Sequence, residues 1–157
     1  MKKIIIIVVL GIGICIFLGA CFPATPTPTL DTSGAFVESA WNSFNENKYS
    51  EAIAFAQECI NRWEKEAVNQ QSALTQAPPN GKVTDEEKKA IFENWALNDV
   101  GTAYFIKAWS LQKMGKSADA KDAYKKTLEF SSARCWNDKG WFWSPAEQAK
   151  ENLAKLP

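Results

Sequence analysis

From Ser33 onward, apolar residues return every three or four positions, the spacing that gathers them on one face of a helix. In "SGAFVESAWNSFNEN" they are Phe36, Val37, Ala40, Trp41 and Phe44, and Asn45 to Asn47 then supply poor helix formers suited to a turn. "SEAIAFAQECINRW" continues with Ala52, Ile53, Ala56, Cys59, Ile60 and Trp63, with Ser50 as its expected N-cap. Ala67, Val68, Leu74 and Ala77 give that helix weaker footing up to Pro78 and Pro79, where it must stop. "TDEE", Thr84 to Glu87, is a capping box, in which the threonine oxygen accepts an amide proton and the glutamate reaches back. One long helix is expected from there through Ile91, Trp95, Tyr104, Phe105, Ala108, Trp109 and Leu111 to Gly115, whose access to positive φ suits a C-terminal cap. A further helix runs from Ser117 to about Phe130, and "SPAE", Ser144 to Glu147, opens a last one reaching about Leu156. Residues 131 to 143 are left as a loop holding Trp136, Trp141, Phe142 and Trp143.

The expected fold is all-α: about five helices in antiparallel hairpins, closed by a C-terminal capping helix. If the second and third helices are both long and joined by "PPNG", they form a long central hairpin, with residues 64 to 98 projecting as an arm; a frayed loop is the alternative.

The beginning of the chain follows another pattern. Met1, Lys2 and Lys3 precede the apolar run "IIIIVVLGIGICIF", about fifteen residues where a stable span needs about twenty. "LGAC", Leu18 to Cys21, then places small residues before a cysteine. The segment resembles bacterial lipoprotein signals along its length, which implies cleavage before Cys21 and a diacylglycerol on its thiol; an uncleaved anchor is the alternative. After it, "FPATPTPTLDTSG" alternates Pro and Thr and has nothing to bury, so it reads as a tether. The expected organisation is a signal peptide over 1–20, a tether over 21–32 and a helical domain over 33–157. Phe22 is not the aspartate that retains enteric lipoproteins at the inner membrane, so the resemblance implies the outer membrane, facing the periplasm. In a host without an outer membrane the place is the outer face of the cytoplasmic membrane.

Loss of residues 1–20 leaves 16 basic against 18 acidic residues, a balance that suggests no nucleic-acid partner. Residues 31–66 carry seven acids and three bases, and 107–126 carry six lysines and two aspartates, a dipolar distribution of solvated helix faces. Histidine is absent, which removes Ser-His and Cys-His nucleophile pairs and imidazole metal sites. With Cys15 lost and Cys21 lipidated, Cys59 and Cys135 remain, too few for a zinc site but able to form one disulfide after export; two separate buried thiols are the alternative. No catalytic residue, metal or cofactor other than the acyl lipid is expected; the acids Asp85 to Glu87 are explained by the helix N-terminus they sit on.

Two stretches repeat one another. "AWNSFNENKYSEAIAFAQECI" from Ala40 and "AWSLQKMGKSADAKDAYKKTL" from Ala108 begin 68 residues apart, and each has a turn residue seven on (Asn47, Gly115) and an alanine five beyond that (Ala52, Ala120). This resembles the tetratricopeptide repeat, whose signature the second unit fits with Tyr104, Ala108, Leu111, Gly115, Ala120, Tyr124 and Leu128. Thr127 and Ser132 depart from it, and so do Ala56 and Cys59 in the first unit. The resemblance implies a concave groove made by each pair's first helix, with Val37, Trp41, Phe44, Asn45, Thr102, Phe105, Trp109, Gln112 and Lys113 on it, the lysine facing a partner's carboxylate; the alternative is that Trp41 and Trp109 complete a small core. The Trp-rich stretch is expected to plug the open end of the stack; the alternative is an aromatic platform at Trp136, Trp141 and Trp143. The function implied is a non-catalytic interaction or scaffolding module of the cell envelope, bound to the membrane by lipid and to another envelope protein or peptide. The alternative is a glycan- or peptide-binding protein using the Trp-rich loop.

Overall fold

The structure is a computed structural model that describes residues 31–157. The signal segment, Cys21 and the tether as far as residue 30 lie outside the described residues. The described chain is mostly helical: α1 (Ser33–Asn45), α2 (Tyr49–Ala73), α3 (Asp85–Glu93), α4 (Trp95–Lys113), α5 (Ser117–Glu129) and α6 (Pro145–Lys155), with one two-stranded hairpin, β1 (Cys135–Asn137) and β2 (Trp141–Trp143).

The two similar stretches fold alike. Asn47 and Gly115 both take positive φ, 61° and 74°. Lys48 N donates to Ser43 O and Asn47 N to Phe44 O; 68 positions on, Lys116 N donates to Leu111 O and Gly115 N to Gln112 O. This is the same Schellman closure twice, a 6→1 bond with a 5→2 bond inside it. Each is followed by a helix that begins two residues after the left-handed one, capped by a lysine with no side-chain bond. Lys48 therefore takes the N-cap position expected of Ser50, which lies inside α2. Ala40, Ala52, Ala56, Ala108 and Ala120 are fully buried, and these small side chains let α1 approach α2 and α4 approach α5.

Two expectations fail between the pairs. The long third helix is broken at Asn94, whose φ of −89° and ψ of 43° cap α3 and open α4, so the described residues form six helices rather than five. Asn98 secures the break: its Nδ2 donates to Ile91 O in the last turn of α3, and its Oδ1 accepts from Arg134 N. Nor is there a projecting arm. The C-terminal half of α2 lies on the body, with Ala67 buried, Gln70 Oε1 accepting from Leu97 N, and Gln71 Nε2 donating to Glu129 O. The prolines follow this helix by several residues, and the connection turns back to the hairpin, where Gly81 and Phe142 exchange two backbone hydrogen bonds of 2.8 and 2.9 Å. Arg134, buried, donates to Pro78 O through Nε at 2.9 Å and holds the same connection from the other side.

The core divides in two around α4. Phe36, Ile60, Leu97, Val100 and Ile106 fill the space between α1, α2 and α4. Phe105, Leu111, Tyr124 and Ala149 fill that between α4, α5 and α6. Gly101 sits where α4 crosses the end of α5: a Cβ there would lie 2.5 Å from Ala133 Cβ, so only glycine fits without a shift.

Candidate functional site

The stretch expected as a plain loop is a β-hairpin. "DKG", Asp138 to Gly140, makes a three-residue turn, with Gly140 at φ 90° and its amide donating to Asn137 O. The strands pair Cys135 with Trp143, Trp136 with Phe142 and Asn137 with Trp141. Strand alternation then divides the aromatic residues. Phe142 is 1 % exposed and meets Trp136 at 4.8 Å and Phe92 of α3 at 5.4 Å. Trp143, on the other face, meets Phe105 at 5.3 Å and Trp41 at 6.4 Å. The buried plug is thus Phe142, while Trp136, Trp141 and Trp143 stay half-buried.

They stay half-buried because they face a cleft of about 1250 Å³. Its floor is helical: Gly34, Val37, Glu38, Trp41, Asn42 and Asn45 from one stripe of α1, and Trp95, Asn98, Asp99, Thr102, Phe105 and Trp109 from one stripe of α4. The hairpin makes one wall, with Phe92 at its edge, and Gln148 and Asn152 of α6 add two amides. Groove and aromatic stretch, taken from the sequence as competing sites, therefore line one cavity that holds six of the chain's seven tryptophans. Trp41 stands at the junction, edge-on to Trp109 at 6.3 Å and also against Trp143. Trp95 and Phe92 are 44 % and 48 % exposed, large apolar surfaces left at the rim.

Three expected groove residues are not in the lining. Phe44 is buried beneath Trp109, ring centroids 4.5 Å apart, and supports it. Gln112 Oε1 accepts from the Tyr124 hydroxyl at 2.6 Å and ties α4 to α5. Lys113 is exposed at the end of α4, its ammonium 6.0 Å from the Trp109 ring. The candidate disulfide is not formed. Cys59 is a buried thiol whose Sγ lies 3.8 Å from Ser33 O, and Cys135 lies 3.8 Å from Trp136 O, each a free cysteine. Burial pushes the two thiols up to about 12 and about 11, so neither is poised as a nucleophile.

The residue that periodicity passed over is Asp99. It lies on the cleft stripe of α4, and its Oδ2 accepts from Ser33 Oγ at the start of α1. Burial raises its carboxyl to about 6, against the opposing pull of that hydrogen bond. The other acids of the lining are Glu38 and Asp138. Among the described residues none of the three is in an ion pair. The one cation of the lining, Arg134, directs its guanidinium away to the carbonyls of Pro78, Ser131 and Ala133. An aspartate between apolar neighbours on a helix stripe was the available signal for this site. The hairpin was signalled by a three-residue turn ending in glycine between two short aromatic runs.

Comparison of the chain with protein-family models, with curated proteins and with solved structures finds no match. Among the described residues no group of acids and cysteines is arranged to hold a metal ion, and no helix is long and apolar enough to cross a membrane.

Proposed function

We propose that this chain is a lipid-anchored, non-catalytic binding module of a bacterial cell envelope, which captures an extended segment of another envelope protein in the aromatic cleft. The observation that carries the proposal is the convergence of the α1 and α4 stripes with the hairpin on one cavity lined by six tryptophans. Half-buried indoles beside a few polar groups are what binding sites use as anchors, since one ring offers a large rigid area at little entropic cost. The floor runs along α1 from Gly34 to Asn45, roughly 16 Å at 1.5 Å per residue, room for about five residues of extended chain. The shared Schellman turns and buried alanines of the two helix pairs support a tetratricopeptide-like arrangement, in which first helices form the binding face. The lipobox at Leu18 to Cys21 supports anchoring through Cys21, at the outer membrane or, in a host without one, on the outer face of the cytoplasmic membrane.

A second reading has its own support. Asn42, Asn45, Asn98, Asn137, Gln148 and Asn152 surround the indoles with planar amides, a combination suited to stacking and hydrogen-bonding a sugar ring. Both are tested by a photo-crosslinking amino acid placed in the anchored protein at Asn45, exposed at the cleft, and at Lys125, exposed on α5. The expected result is an adduct from position 45 alone, reduced to the parent mass by a protease that leaves this domain intact. A protease-resistant, glycosidase-sensitive adduct favours the glycan. Equal adducts at both positions, or none, contradict the cleft as the site.

A further inference from the structure

The charges around the cleft specify its ligand further. Its walls are electron-rich indole faces, its unpaired charges are carboxylates, and its one guanidinium is spent on backbone carbonyls. A positive group entering such a site gains from ring quadrupole and carboxylate together, whereas an anionic one meets the repulsion of the lining's carboxylates. The chain itself shows that these rings accept an ammonium: Lys88 Nζ sits 4.0 Å from the centre of the Trp136 ring at the cleft's edge. The position of Asp99 matters most. Its one hydrogen bond among the described residues comes from a neutral hydroxyl, so its charge is left without an opposite charge in a setting that disfavours it.

We infer that the captured segment carries a basic side chain, lysine or arginine, which enters between the tryptophans and pairs with Asp99. This rests on the cleft being the binding site and adds what it selects. It reverses the expectation from Lys113, which would have held a partner's carboxylate. The ionisable groups that share the cleft lining with Asp99 are Glu38 on α1 and Arg134, Cys135 and Asp138 at the hairpin, and the buried Cys59 of α2 also feels its charge. Both thiols stay protonated and Arg134 stays charged through neutral pH.

The test is a titration of the full-length protein in detergent micelles, followed by tryptophan emission, with acetyl-Gly-Lys-Ala-Lys-Gly-amide and its counterpart bearing norleucine in place of lysine. Norleucine keeps the aliphatic stem and removes the charge. The lysine peptide is expected to bind about tenfold or more tightly than the norleucine peptide, a difference of the size cation–π and carboxylate contacts supply. Asp99→Asn should erase most of that difference, while circular dichroism shows the helices intact. Equal affinities, or a lysine preference that survives Asp99→Asn, overturn the inference. Saturable binding of both peptides with equal affinity overturns it while leaving the cleft as the site; binding of neither overturns it, and position-45 crosslinking then judges the cleft separately.

Discussion

Asp99 costs this fold stability for as long as it is charged. The group takes up a proton more readily folded than unfolded, with a carboxyl at about 6 against an ordinary value of 3.8. Between those values the folded state binds more protons, so stability falls as pH rises from about 4 to about 6 and stays at the lower level above. The Asp99 contribution is therefore most favourable in acid, opposite to that of an ion-paired carboxylate. Asp99→Asn should raise the melting temperature at pH 7 and remove the stability gained on acidification from pH 6 to 4, so that the variant loses more than the parent over that range. Thermal melts of both proteins across that range check it; a parent that loses stability from pH 6 to 4 no less than the variant contradicts the assignment. Such a residue is hard to find from sequence because helical periodicity locates apolar faces and passes over a lone acid within one. His-free composition was more legible, since it excluded whole chemistries without any fold.

At the scale of elements, the helices were readable wherever capping and periodicity agreed. The capping box at Thr84 and Glu87 forms both of its bonds, and Ser144 caps α6 ahead of Pro145. What failed was continuity: the apolar stripe runs straight through Asn94, and the break there depends on Asn98 reaching back to Ile91 O, a tertiary choice invisible to periodicity. The hairpin failed for a related reason. Three-residue strands carry too little alternation to stand out, and theirs holds because Pro78 and Gly81, in a connection over fifty residues earlier, bond Arg134 and Phe142. Their alternation yields a sharp contrast between neighbours. Phe142→Ala should destabilise the domain by about 3 to 5 kcal/mol, the usual cost of emptying a buried aromatic position. Trp141→Ala, removing a half-buried ring at the cleft, should cost under about 1.5 kcal/mol and weaken peptide binding instead. Chemical denaturation of both variants checks the order; Trp141→Ala at or above the cost of Phe142→Ala would return that indole to the role of a plug.

For the whole molecule, the sequence presented two candidate sites, a helical groove and an aromatic stretch, and the chain's path brings them together. α6 packs back on α5 and α4, the hairpin closes over the α1–α4 face, and Trp41 and Trp143, 102 positions apart, come into contact. Trp63 alone of the tryptophans lies elsewhere, against Phe36 on the α1–α2 side with Arg62 over its ring. The seven indole N–H groups therefore form a built-in map of the binding surface. Nuclear magnetic resonance of nitrogen-15-labelled protein, titrated with the lysine peptide, follows one indole signal per tryptophan. The cleft predicts that Trp41, Trp109, Trp141 and Trp143 move together along one saturation curve while Trp63 stays still. Movement of Trp136, Trp141 and Trp143 without Trp41 and Trp109, or of Trp63 with the rest, would contradict a single site shared by the helices and the hairpin.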